Sequence, residues 1–152
     1  MSELKYNAFT FYIEHVIQPL SYPDFAPENG KLTMDDVKEI CSYAREYQME
    51  IIGSFQCFGH FEKILSLEKY APLGDTPSMI APLKPQAQAF LKSVIEELAD
   101  AFSSDYFNIN CDETWDLENG KSKEYVRRVG ADKFYADHIR FLYDVLKAKN
   151  KK

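Results

Sequence analysis

The sequence predicts an α/β fold built on a parallel sheet. Three short segments rich in β-branched and aromatic residues, "AFTFYIE" (8–14), "MEIIGSF" (49–55) and "YFNINC" (106–111), have the length and composition of buried strands. Stretches with apolar residues at helical spacing separate and follow them. The resulting order, β-α-β-α-β-α, implies parallel strands joined by right-handed crossovers. In addition, each strand segment runs at its C-terminal end into polar and ionisable residues: Glu14 and His15, then Gln56, Cys57 and His60, then Asp112 and Glu113.

In the first strand, Phe9, Phe11 and Ile13 alternate with Thr10, Tyr12 and Glu14. Thr33 followed by Asp36 resembles a capping box, with Asp in place of the usual Glu, and opens a helix carrying Val37, Ile40, Cys41, Ala44 and Tyr47 at helical spacing. In the second strand Ile51 and Phe55 face one way and Glu50, Ile52, Ser54 and Gln56 the other. "FGHFEKILSLEKY" reads as a short helix stopping before Pro72, and "PLGDTPSMIAP" (72–82) as a structured connector. Pro85 suits the first position of a helix bearing Phe90, Leu91, Val94, Ile95, Leu98 and Phe102. The third strand sets Phe107, Ile109 and Cys111 against Asn108, Asn110 and Asp112. A last helix spans about 131–149, with Phe134, His138, Leu142, Val145 and Leu146 on one face. Parallel sheets are usually apolar on both faces, so one polar face points to a wet site.

Composition narrows the function classes. The 152 residues are 45% hydrophobic and 14% aromatic, enough for one packed core, which makes 1–152 a single domain by expectation. The net charge of −6 argues against a nucleic-acid partner, which usually meets a basic stripe. The closing lysines Lys147, Lys149, Lys151 and Lys152 read as a solvated helix C-terminus. No apolar run reaches the roughly 18 residues of a membrane span. Localisation is left unassigned; the absence of a signal-peptide pattern at the given N-terminus and of a disulfide pattern leans toward the cytoplasm. Cys41, Cys57 and Cys111 read as reduced, buried thiols. The isolated glycines form no phosphate loop.

Ligands of parallel α/β proteins bind at the carboxyl ends of the strands, where the ionisable groups collect. Adjacent carboxylates such as Asp112 and Glu113 are ordinarily a loop or capping pair. They flank a glycosidic bond awkwardly, since standard glycosidase carboxylates approach from opposite sides at about 5–10 Å. They better suit unequal roles, one an acid at the leaving oxygen and the other orienting a group already on the substrate. His60 either tunes a carboxylate or packs. Cys57-x-x-His60 lacks a second pair for zinc, while a metal-dependent hydrolase using Asp112, Glu113, His15 and His60 is a further alternative. His138 reads as structural. Trp115 either stacks on a sugar ring or plugs its loop.

Together, "NAFTFYIEH", "LTMDDVKEICSYAREYQMEIIGSFQCFGHFEKIL" and "FSSDYFNINCDETWDLENGKSK" resemble the catalytic barrel of glycoside hydrolase family 20, the β-N-acetylhexosaminidases, and within it the hexosaminidase D-like branch. The resemblance implies a partial (β/α)8 TIM barrel, about three parallel βα units corresponding to strands 2–4. It implies substrate-assisted retaining hydrolysis of terminal β-linked N-acetylhexosamine, without metal or cofactor, in the complete enzyme. Glu113 would be the general acid/base and Asp112 would orient the acetamido group. His60, Glu14, His15 and Trp115 would contact substrate or support the acid. Phe58 stands where many members carry Pro, and Asn110-Cys111 where many carry Gly-Gly; these bulkier residues would narrow the pocket. A partial barrel has open sheet edges, so self-association or pairing with the missing half is expected. The alternative is a non-catalytic carbohydrate-binding or scaffold module.

Overall fold

The computed structural model describes residues 1–152. Its strands and helices, in chain order, are β1 (Ala8–Thr10), β2 (Ile17–Gln18), β3 (Leu32–Thr33), α1 (Met34–Glu46), β4 (Glu50–Ser54), α2 (Glu62–Leu65), α3 (Pro85–Ala101), β5 (Phe107–Asn108), α4 (Lys123–Val129) and α5 (Ala131–Ala148). The main sheet is parallel, in the order β1-β4-β5, with Phe9 opposite Ile51 and Ser54 opposite Asn108. Each of its three strands falls in a segment whose composition predicted one.

All three strands end earlier than the sequence pattern suggests. After β1 the ladder loosens: the Gln56 N–H donates to the Ile13 carbonyl at 2.8 Å, and the Ser54 hydroxyl donates to the Phe11 carbonyl in place of a backbone group. After β5, Asn110 and Cys111 take left-handed backbone angles, φ 53° and 68°, which end an extended strand. The residues that leave the ladder are those that build the site. A second, two-residue ladder pairs β2 with β3 in parallel; it is too short to show a period.

The helices follow their capping chemistry. Thr33 accepts from the Asp36 N–H and Asp36 accepts from the Thr33 N–H, a complete capping box on α1. Pro85 opens α3 at N1. "FGHFEKILSLEKY" yields only the single turn of α2, followed by a turn and a 3-10 segment at Ala71–Leu73. α4 has no sequence forecast, because its one buried residue, Val126, leaves no apolar stripe to read. α1 and α3 pack on β4 and on each other, and α5 packs on α3.

Buried apolar residues form one cluster running from Ile13 to Leu146. Phe90 lies at its centre, with the rings of Tyr22, Phe25, Phe61 and Tyr70 around it at centroid distances of 4.8–6.4 Å. Ile13, Ile51, Phe55, Phe107 and Cys111 are buried on the helix side, while Thr10, Tyr12, Glu50, Asn108 and Asp112 on the other side are exposed. Alternation therefore sorted most of the strand residues, the exceptions being Ser54 and Gln56, which lie on the polar side yet are wholly buried and hydrogen-bonded. No helix is long and apolar enough to cross a membrane. All three cysteines are buried and unpaired.

His138 is buried on α5 as a structural residue. Its Nε2 donates to the Cys57 carbonyl at 2.8 Å, and its ring packs 4.5 Å from that of Phe58, so α5 is pinned directly behind the loop leaving β4. Burial pulls its pKa down to about 4. A depressed histidine is neutral in the fold and more readily protonated in the unfolded chain. Its contribution is therefore complete above pH 6.5 and lost as pH falls toward about 4. At about 1.4 kcal/mol per pH unit, that interval is worth about 3 kcal/mol. Thermal melts should thus fall more steeply across pH 6.5 to 4 for the native chain than for His138→Leu; equal slopes would refute the assignment.

Candidate active site

At the carboxyl end of the sheet, three segments distant in sequence converge on His60. Its Nδ1 lies 3.7 Å from Glu14, and its Nε2 lies 3.7 Å from Asp112 Oδ2 and 3.4 Å from Glu113 Oε2. These are ion-pair distances without hydrogen-bond geometry, for Nε2 is buried and makes no hydrogen bond.

Asp112 is held more firmly. Gln56 Nε2 donates to Asp112 Oδ1 at 2.6 Å and to the Tyr12 hydroxyl at 2.6 Å; that hydroxyl in turn donates to Asp112 Oδ2 at 3.4 Å. The Gln56 hydrogen bond is the largest influence on Asp112 and lowers its pKa against the opposing effect of burial. Asp112 therefore stays ionised at neutral pH. Gln56 is 0% exposed, whereas the Asp112 and Glu113 side chains are 49% and 58% exposed, so a buried amide supports Asp112 while both carboxylates face solvent.

The backbone here is unusual. Seven non-glycine residues have positive φ. Lys5, Gln48 and Asn150 lie in turns after helices, but His60, Asn110, Cys111 and Glu113 all fall at this site. Such conformations persist where surrounding contacts enforce them, and they gather at functional sites. The contacts here are the Asn110 N–H donating to Asn108 Oδ1 at 2.9 Å and the Tyr135 hydroxyl donating to the Cys111 carbonyl at 2.6 Å. Gly59 allows the two loops to meet: a Cβ on it would lie 2.7 Å from the Asp112 carbonyl oxygen and 3.4 Å from that of Glu113. Burial drives the Cys111 thiol up to about 12 and raises that of Cys57, so neither is a thiolate nucleophile.

The predicted residues do not all join. Glu14, His60, Asp112 and Glu113 do. His15 is half-buried with an unbonded Nδ1 and makes no hydrogen bond, ion pair or ring contact with the four, and Trp115 is 83% exposed with no hydrogen-bond or ring contact to them. The Trp115 loop is braced farther along, where the buried Asp75 accepts from the Ser122 N–H and hydroxyl at 2.8 and 2.7 Å. No group of three or more His, Cys, Asp or Glu side chains is arranged to hold a metal ion, so the metal-dependent reading has no ligand set. Tyr12 and Gln56 were missed as site residues. Alternation nevertheless placed both on the face of Asp112, and Gln56 on the neighbouring strand.

The parallel sheet thus carries an adjacent Asp-Glu pair and a histidine together at its carboxyl edge. The model of the glycosyl hydrolase family 20 catalytic domain matches residues 18–151, and the chain belongs to that family. Bovine (Bos taurus) hexosaminidase D is 27% identical over 116 residues, covering 68% of this chain and 34% of its own, in keeping with the D-like resemblance. The β-N-acetylhexosaminidase of Bacteroides fragilis superposes with a TM-score of 0.83 at 21% identity, covering 99% of this chain and 35% of its own. The Vibrio harveyi exo-β-N-acetylglucosaminidase, solved with N-acetylglucosamine, does so with a TM-score of 0.83 at 17% identity, covering 99% and 30%. The fold is thus a partial family barrel, and the chain spans about a third of the length of the relatives it matches.

Proposed function

We propose that the protein carrying this segment is an exo-acting β-N-acetylhexosaminidase, removing terminal β-linked GlcNAc or GalNAc by substrate-assisted retention, with residues 1–152 as one partial catalytic-barrel domain. The supporting observation is the unequal setting of two adjacent carboxylates: Asp112 is hydrogen-bonded and ionised by Gln56, while Glu113 stands free beside His60. Glu113 protonates the glycosidic oxygen as the bond to the anomeric carbon breaks. The 2-acetamido oxygen attacks that carbon from the other side, closing an oxazolinium ring, and Asp112 accepts from the acetamido N–H and balances the positive charge. Glu113 then takes a proton from water, which opens the ring at the anomeric carbon; two inversions give net retention. His60, poised by Glu14, steadies the charge on Glu113, and Trp115 is free to stack on the sugar.

The chemistry demands the acetamido group. Enzyme carrying this segment should release p-nitrophenol from the β-GlcNAc or β-GalNAc glycoside and at least about a thousand-fold less from the β-glucoside, whose 2-hydroxyl cannot close the ring. Equal turnover of both would exclude substrate assistance. The half-exposed carboxylates favour the second reading for the 152 residues alone: an open sugar-binding face with little turnover, because water is not excluded. The outer edge of β1 is unpaired in the main sheet, and that of β5 is met only by Lys152, whose carbonyl accepts from the Phe107 N–H at 3.0 Å and whose N–H donates to the Asp105 carbonyl at 2.7 Å, so the rest of the barrel or a second copy is the natural partner.

A further inference from the structure

We propose that Gln56 is a positioning residue of this site: its carboxamide, fixed between the Tyr12 hydroxyl and Asp112, holds Asp112 as a carboxylate at the orientation the acetamido group requires. The proposal rests on the catalytic reading above. Gln56 is wholly buried, and its NH2 group has two donors. One is given to Asp112 Oδ1 and the other to the Tyr12 oxygen, both at 2.6 Å. A carboxylate only accepts, so Asp112 sets which end of the amide faces it. Tyr12 then closes the ring by donating to Asp112 Oδ2. Asp112 is thereby gripped at both oxygens from two neighbouring strand ends, although its own backbone lies in a loop between left-handed Cys111 and Glu113.

The other groups around Asp112 hold it less firmly: Tyr12 donates at 3.4 Å, and His60 favours its charge from 3.7 Å. The ionisable groups facing it are Tyr12 and Glu14 after β1, Cys57 and His60 after β4, its neighbours Cys111 and Glu113, and Tyr135 from α5. Glu14 and Glu113 donate no hydrogen bond to it. The Cys57, Cys111 and Tyr135 side chains are neutral, their pKa values raised by burial. His60 is 3.7 Å away without a hydrogen bond. The short contact from a neutral, fully buried amide is therefore the principal anchor, and it persists at any pH at which Asp112 is charged.

The test is a 13C-carboxyl NMR titration of Asp112 in the 152-residue chain, with folding checked by circular dichroism. Gln56→Leu and the near-isosteric Gln56→Glu should both move the Asp112 midpoint to higher pH, and Tyr12→Phe should move it less. Tyr12 is exposed, so its variant stays informative if the buried substitutions unfold the chain. In the enzyme, Gln56→Glu should lower kcat/KM by about ten- to a hundred-fold, the usual effect of losing a hydrogen bond to a charged group. The acid limb of the pH profile should rise with the Asp112 midpoint. An unmoved midpoint in every folded variant would overturn the proposal, as would lost activity with an unmoved acid limb, which marks a merely structural role. A shifted midpoint in a protein that never cleaves an N-acetylhexosaminide would uphold the Gln56 anchor and reject the catalytic reading instead.

Discussion

Glu113→Gln should reduce kcat for an N-acetylhexosaminide by about 10²- to 10⁴-fold while leaving the fold intact, the usual effect of removing a general acid. The Glu113 side chain is more than half exposed and hydrogen-bonds to no other residue, so the amide replaces it without disturbing packing. What is lost is the proton for the leaving oxygen and the base for the returning water. The deficit should shrink for substrates with an activated leaving group such as 2,4-dinitrophenol, which departs without protonation. Steady-state kinetics on a pair of aglycones, with thermal melts as control, check this. Undiminished turnover of a poor leaving group would remove Glu113 from the mechanism.

Gly59→Ala should damage both stability and turnover although no functional group is lost. The added methyl would lie 2.7 Å from the Asp112 carbonyl oxygen, and backbone cannot rotate aside as a side chain can. Either the loop leaving β4 or the strand end carrying Asp112 and Glu113 must shift. Overpacking of this kind costs about 1–3 kcal/mol. A displacement of about 1 Å at catalytic groups can cost about a hundred-fold in rate. The melting temperature should drop, and kcat/KM should fall by at least about ten-fold on this basis. Wild-type turnover in the alanine variant would mean that the close approach does not govern the carboxylates.

Both expectations combine something visible in the sequence with something that is not. The chemical identity of Asp112, Glu113, Glu14 and His60, and their place after strand-like segments, can be read directly, because period-2 alternation and strand composition are local properties. The same holds for the α1 capping box and Pro85 at the head of α3. α4 and the β2–β3 ladder were not legible, since one buried residue or a two-residue pairing leaves no period to detect. Nor were the exact strand ends, which depend on left-handed residues enforced by neighbours rather than by propensity.

By itself, the sequence determined which functional groups this protein possesses, the order of its βα units and which side of each strand is wet. Only the tertiary structure decided which groups act together. It placed His60 among three carboxylates, left His15 and Trp115 apart from them, joined Gln56 to Asp112 across 56 positions of chain, and showed that Gly59 is small because Asp112 passes over it. The physical reason is that hydrogen-bond and van der Waals distances between remote segments are set by how helices and strands pack, and no local pattern of residues encodes a separation of a few ångströms between them.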